Sequence, residues 1–252
     1  MNQPLRVFVI IPAFCEEQLI QTTINHVPAF VEGIIVVDDA STDRTAEQVL
    51  TLGDQRTRLI SHEKNRGVGA AIYTGYKAAL ALGADALVVM AGDNQMDGTD
   101  LPALLQPLLN EKIGYVKGNR HLHERVRDMP LFRRIGSRLL AVLTSYATGV
   151  RLGDSQCGYT VLSRKAALHL DFDGMWQGYG YPNDLLIALG RRGVSIAEVP
   201  VRPVYADEKS GLRPWHLFTI LGVIGRRWWT ERRRSTLLNQ QPIRMNSSSA
   251  ER

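Results

Sequence analysis

Only two cysteines, Cys15 and Cys157, occur in 252 residues, far apart and in no metal-ligand spacing. That scarcity argues against a disulfide framework and suits a reducing compartment. Long apolar runs are missing as well: no stretch reaches the ~18 uninterrupted apolar residues that a spanning helix requires. The opening "MNQPLRVFVIIPAF" carries one arginine and a short apolar run broken by proline, a poor match to a signal peptide. The expected location is therefore inside the cell. Strong charge of either sign is also lacking. The formal net charge is +5, much of it from arginines near the C-terminus. Such a balance suits phosphate-bearing ligands or anionic lipid, and equally an ordinary soluble surface; no nucleic-acid partner is expected.

What is present is a regular alternation of strand and helix signals. Apolar runs at 5–11, 33–39 and 85–91, with "TRLISH" (57–62) as a third strand between them, read as strands. Helical periodicity predicts helices at about 16–27, 41–53, 67–83 and 100–110, the last capped by Thr99 with Pro102 in its first turn. The rhythm changes after "IGYVKGNR" (113–120). A polar stretch leads into a helix at about 131–148, then a turn, strand and short helix over 154–170. A helix over 181–193, capped by Asn183, and a late strand at 194–205 follow. Continuous apolar strands separated by helices imply a mostly parallel α/β sheet covered on both faces.

In such a sheet, ligands bind beyond the carboxyl ends of the strands. The first four strands end in "PAFCEE", "DDASTD", "HEKNRGVG" and "GDNQMDG". One acidic strand end is commonplace, because Asp and Ser cap helices, but four together point to a site. "GVGAA" (67–71) invites a dinucleotide reading. It follows the third strand rather than the first, and Ile72 stands where that fingerprint wants Gly or Ala. A tight turn and helix start is the better reading, which leaves a nicotinamide oxidoreductase as the weakest of the functional options.

These motifs carry a resemblance. "IPAFCEE" resembles the "IPAYNEE" opening of family 2 glycosyltransferases, and "VVDDASTDRT", "NRGVGAAIYTGYKAA", "VVMAGDNQMD", "GDSQCGYTVLSRKA" and "YGYPNDLLIALGRRG" follow in the expected order. The likeness covers about residues 5–213 and is strongest to the dolichyl-phosphate-mannose and dolichyl-phosphate-glucose synthase branch. It implies one Rossmann-like GT-A domain over 1–213, with a nucleotide-sugar half at about 1–118 and an acceptor half at 119–213. It also implies a nucleoside-diphosphate sugar donor and Mg²⁺ or Mn²⁺. Carried over by position, Pro12, Phe14 and Glu16 would line the nucleoside pocket with Gly67, and Asp38 or Asp39 would bond the base or ribose. The alternative for the two aspartates is capping of the next helix. Cys15 replaces the family's usual Asn and is expected as a packed thiol rather than a nucleophile.

The family's acidic motif, Asp-Ala-Asp-x-Gln, here reads Ala91, Gly92, Asp93, Asn94, Gln95, so its first acid is gone. Because substrate phosphates and water complete the shell of a hard cation, Asp93 can suffice, with Gln95 as a further oxygen ligand or supporting group. By resemblance, Lys209, with Arg213 as a second choice, would close over the pyrophosphate. Arg120 would meet the pyrophosphate or an acceptor phosphate. Asp184 falls where many members carry the base that deprotonates a hydroxyl acceptor. With a phosphate acceptor it would only position groups, and its bland alternative is helix-dipole stabilisation of ~0.3–1 kcal/mol.

At the C-terminus, "WHLFTILGVIGRRWWTERRR" places Trp215, Phe218, Leu221, Ile224 and Trp228 at helical spacing, followed by arginines. An amphipathic helix over 214–236 lying on an anionic membrane surface is expected, and docking on the catalytic domain or a dimer contact is the alternative. The tail at 237–252 is polar and aperiodic and reads as disordered. The combined expectation is a peripheral, inner-face enzyme moving a hexose with inversion to polyprenyl phosphate. The alternatives are a hydroxyl acceptor on a cell-surface glycan or lipid precursor, and a non-catalytic nucleotide-sugar binder.

Overall fold

In the computed structural model, which describes residues 5–204 and 214–239, every position of β1 (Val7–Ala13), β2 (Gly33–Asp38) and β4 (Ala86–Val89) is buried. Burial on both faces explains their unbroken apolar runs. Phe8 and Ile10 point into one core, while Val7, Val9 and Ile11 point into the other. The first core is covered by α3 (Val68–Ala81) and α7 (Tyr181–Arg191), the second by α1 (Ile20–Asn25), α2 (Thr45–Leu52) and α4 (Leu101–Leu105).

Seven strands among the described residues lie in the order β3-β2-β1-β4-β6-β5-β7. Here β3 is Thr57–Ser61, β5 Ile113–Asn119, β6 Thr160–Ser163 and β7 Ser195–Pro200. Four of the pairings are parallel; β6 runs against both β4 and β5. The chain builds outward from β1 through β2 and β3 on one side and through β4 on the other. This reversal leaves a crevice at the carboxyl end of β1 that no crossover helix can cover.

Several boundaries differ from expectation for local reasons. The helix expected at 16–27 contracts to Ile20–Asn25. The helix expected at 100–110 is divided: the Asp97 carboxylate, not Thr99, caps a 3-10 turn by accepting from Thr99 N at 2.9 Å, and α4 follows. Pro107 supplies no N–H, and the run finishes as a 3-10 turn over Gln106–Leu109. Gly180, at φ 96°, is the N-cap of α7 in place of Asn183. Asn183 is instead buried, donating to Thr144 Oγ1 at 2.6 Å and accepting from Gln156 Nε2 at 3.0 Å.

The glycines of "GVGAA" are explained by close approach. A Cβ at Gly67 would lie 2.7 Å from the Gln177 carbonyl oxygen, and one at Gly69 would lie 2.7 Å from that of Trp176. The start of α3 therefore packs directly on the 176–178 backbone, sealed by the Ala70 N–H donating to Gln177 O at 3.1 Å.

Outside α7, α5 (Leu131–Thr148) and α8 (Pro214–Asn239) form a third cluster in which Leu140, Ala147, Ile187, Ile220 and Ile224 are buried. The C-terminal helix is thus docked on the catalytic domain. No helix among the described residues is long and apolar enough to cross a membrane.

Candidate active site

The loops beyond β1, β2 and β4 share a strained backbone. Cys15 (φ 57°), Ala40 (φ 61°) and Asn94 (φ 55°) are the non-glycine residues at positive φ among the described residues, one in each loop. This conformation costs most L-residues about 1–2 kcal/mol, whereas Asn tolerates it. It also accounts for the family's Asn where this chain has Cys15. The thiol expected to be packed is exposed instead. Its backbone N–H donates to Ser41 Oγ at 2.9 Å, and Glu16 N donates to Thr45 Oγ1 at 2.8 Å, so the loops after β1 and β2 are laced together.

Asp39 ties in the third loop. Its carboxylate accepts from Gly67 N at 2.7 Å, Arg66 N at 2.9 Å and the His62 ring at 2.7 Å. His62 in turn reaches Thr74 Oγ1 at 2.9 Å, which holds the end of β3 against α3. Asp38 is buried and accepts from Ser41 N at 3.2 Å within the loop; neither aspartate caps the next helix, whose N-cap is Arg44.

Around these loops lies a cavity of about 420 Å³, lined by Pro12, Phe14, Glu16, Asp39, Gly67 and Asp93 among others. It brings together six of the expected site residues; Asp38 is not on its wall. A second cavity, about 210 Å³, is lined by Asp93, Gln95, Arg120 and Gln156 among others. Asp93 faces both. Its Oδ1 accepts from Gln95 N at 3.1 Å in a local turn, and Gln95 lines the second cavity. A larger space of about 850 Å³ opens between the 94–99 loop and Phe30, but neither Asp39 nor Asp93 lines it.

Arg120 is held by a buried partner that sequence reasoning missed. Asp154 accepts from Arg120 Nε at 2.7 Å and Nη2 at 3.1 Å, and from the N–H groups of Gln156 and Cys157 at 3.0 and 3.1 Å. Burial opposes ionisation of Asp154, yet the Arg120 charge and hydrogen bonds, with Lys117 nearby, bring its pKa down to about 2. Glu198 accepts from Gly153 N and Asp154 N, so the whole turn is fastened to β7. Below it, fully buried Lys117 donates to the Cys157 carbonyl, and desolvation lowers its pKa. The one available signal for this network was the lone acid opening "DSQCGY".

Not all expected residues join the site. Asp184 is fully buried, lines neither cavity and is bound by Arg227 from α8. Lys209 and Arg213 lie outside the described residues. Gly178 and Tyr179, which complete the wall of the larger of the two joined cavities, fall within the quoted "YGYPND" motif and its preceding glycine.

A mostly parallel sheet with its crevice at a topological reversal and an acid-bearing turn after β4 agrees with the GT-A glycosyltransferase fold expected from the sequence. Residues 8–168 match Glycosyl transferase family 2, and the chain belongs to that family of enzymes. It is 30% identical over 217 residues to the UDP-N-acetylglucosamine--dolichyl-phosphate N-acetylglucosaminyltransferase of Methanococcus voltae, covering 80% of this chain and 86% of that one. The undecaprenyl-phosphate mannosyltransferase of Micrococcus luteus is 28% identical over 203 residues, covering 78% and 83%. Among solved structures, glucosyl-3-phosphoglycerate synthase from Mycobacterium tuberculosis in complex with UDP superposes with a TM-score of 0.69 at 25% identity, covering 89% and 80%.

Two outcomes test this geometry. Cys15→Asn is expected to raise stability by up to about 1 kcal/mol, read from the urea midpoint at constant m, because Asn tolerates the left-handed turn; a lower midpoint would contradict the strain. Asp154 has a depressed folded-state pKa, so its contribution is present above the unfolded value and lost as pH falls through about 2. Asp154→Asn is therefore expected to be less stable than wild type at pH 7, with the gap narrowing by roughly 2 kcal/mol between about pH 5 and pH 2. A gap independent of pH would remove the ion pair from this role.

Proposed function

We propose that the protein is a metal-dependent, inverting glycosyltransferase that moves a hexose from a nucleoside-diphosphate sugar to a polyprenyl phosphate at the inner membrane face. The observation that carries this reading is the position of Asp93 where the two cavities meet. A space of about 420 Å³ lies in the range of small-ligand pockets. Phe14, 48% exposed at its rim, offers a ring face to the base, and Asp39 is braced to accept from the base or ribose. Arg120, 21% exposed on the second cavity, supplies a cation for the acceptor phosphate while Asp154 fixes its fork. Lys209 stands as a further proposed cation for the pyrophosphate.

The donor set fits a hard cation bound together with substrate. Among the described residues no three His, Cys, Asp or Glu side chains gather to cage an ion. One carboxylate with the Gln95 amide suits a cation that takes most of its ligands from phosphates and water. When bound, Mg²⁺ or Mn²⁺ neutralises charge on the diphosphate. The mycobacterial synthase has also been crystallised with Mn²⁺, UDP and its glucosylated product, at 25% identity and a TM-score of 0.63.

A phosphate acceptor is already an anion. Its oxygen attacks the anomeric carbon from the face opposite the leaving group; the bond from that carbon to the diphosphate oxygen breaks, and the nucleoside diphosphate departs with the electron pair. No proton moves, so the chemistry requires no base. The acceptors named for the Methanococcus and Micrococcus relatives, dolichyl and undecaprenyl phosphate, support this choice. Asp93→Asn is expected to lower kcat about 10²-fold or more with Mg²⁺ or Mn²⁺, in an assay pairing UDP-, GDP- and dTDP-sugars with polyprenyl phosphate. An unchanged rate overturns the assignment, and donor binding without turnover by the wild type favours a binder.

Peripheral membrane contact has support from a face the sequence did not single out. On α5, Leu131, Phe132, Ile135, Leu139, Val142 and Tyr146 are all exposed along one stripe, and Arg138 is exposed beside them. On α8, Phe218 and Trp229 are exposed near Arg226. Apolar residues bordered by arginines suit a bilayer interface. The triple variant Phe132→Ser, Ile135→Ser, Leu139→Ser is expected to lose flotation with anionic liposomes; equal recovery with wild type rules out this surface.

A further inference from the structure

We infer that Asp184 and Arg227 are positioning residues that clamp one wall of the donor cavity, an inference resting on the proposed donor site. Asp184 is fully buried on the first turn of α7. Its Oδ1 accepts from Arg227 Nε at 2.7 Å, and its Oδ2 accepts from Arg227 Nη2 and from the Trp176 N–H at 2.9 Å. A fork of two parallel bonds fixes both orientation and distance. Arg227 Nη2 also donates to the Gly174 carbonyl at 3.3 Å. The next guanidinium, Arg226, lies 5.5 Å from the Trp176 ring centre. Glu231 completes the set, accepting from Arg227 at 3.4 Å and from Arg192 at 3.0 Å.

The ends of residues 174–176 are thus gripped by α7 and α8. The same strand of backbone continues into Gln177, whose carbonyl receives the Ala70 N–H, and into Gly178 and Tyr179 on the cavity wall. Gly67 and Gly69 leave no side chain between that backbone and the start of α3. A continuous path of contacts therefore runs from α8 through the Arg227–Asp184 pair to the donor cavity. A general base must reach its proton directly or through one water. Asp184 opens on neither cavity, and both its oxygens are aimed at Arg227 and Trp176.

Hydrogen exchange of residues 174–179 in the full chain, followed by steady-state kinetics, tests the clamp. Arg227→Met is expected to speed exchange across 174–179 at least tenfold and to raise the donor KM at least fivefold, with kcat within about twofold. Asp184→Asn is expected to raise the donor KM in the same way, without moving the pH profile of kcat. Arg227→Lys, which keeps the charge but loses the fork, should fall between wild type and Arg227→Met, and it stands in if Arg227→Met does not fold. Wild-type exchange in the Arg227 variants overturns the clamp. So does a kcat loss of 10²-fold or more in Asp184→Asn at unchanged KM, the mark of a base. The exchange arm needs no sugar donor, so failure of the proposed transfer reaction leaves the clamp separately decidable.

Discussion

The switch in strand order at β1 governs this molecule. With β2 and β3 laid down on one side and β4 on the other, crossover helices diverge and leave the carboxyl end of β1 uncovered. Loops from three neighbouring strands must then close that gap with their own backbones. They do so through left-handed turns at Cys15, Ala40 and Asn94, a conformation that side chains resist. The cavity is the space those turns enclose.

Burial sorts the acids of the site into separate tasks. Asp39 accepts from the N–H groups of Arg66 and Gly67 and from His62, which ties the third loop to the wall of the proposed donor cavity that Asp39 also lines. Asp154 holds Arg120 and the turn before β6. Asp184 holds Arg227 and the segment entering α7. Each of the three is largely closed to solvent and matched by donors, as buried charge requires. Asp93 differs in position, since it lines both cavities while accepting locally from Gln95 N. That division matches the proposed transfer to an anionic acceptor, in which charge is stabilised and no proton is removed.

The strand ends and their acids are legible without coordinates. Apolar runs at regular spacing require a sheet buried on both faces, and the loops "PAFCEE", "DDASTD" and "GDNQMDG" must then emerge at one edge. Pro12, Phe14, Glu16, Asp39, Gly67 and Asp93 meet there because parallel strands place all their carboxyl ends together. Helix periodicity is less informative. The stripe on α5 has the spacing of a core-facing helix, but a face toward solvent or lipid gives the same period. On α8, Ile224 is buried while Phe218 is exposed, so one apolar stripe is divided between docking and display.

Local chemistry along the chain thus determined the fold class, the edge of the sheet that carries the candidate site and the acid proposed at its centre. All three follow from short-range pattern and the geometry of parallel strands. Which acids remain open and which are consumed as anchors was decided only by tertiary structure. Asp154 and Arg120 are 34 positions apart, and Asp184 and Arg227 are 43 apart. Nothing in local sequence specifies such pairings, because they arise where separately built loops and helices are pressed together, and there a buried charge must find its partner.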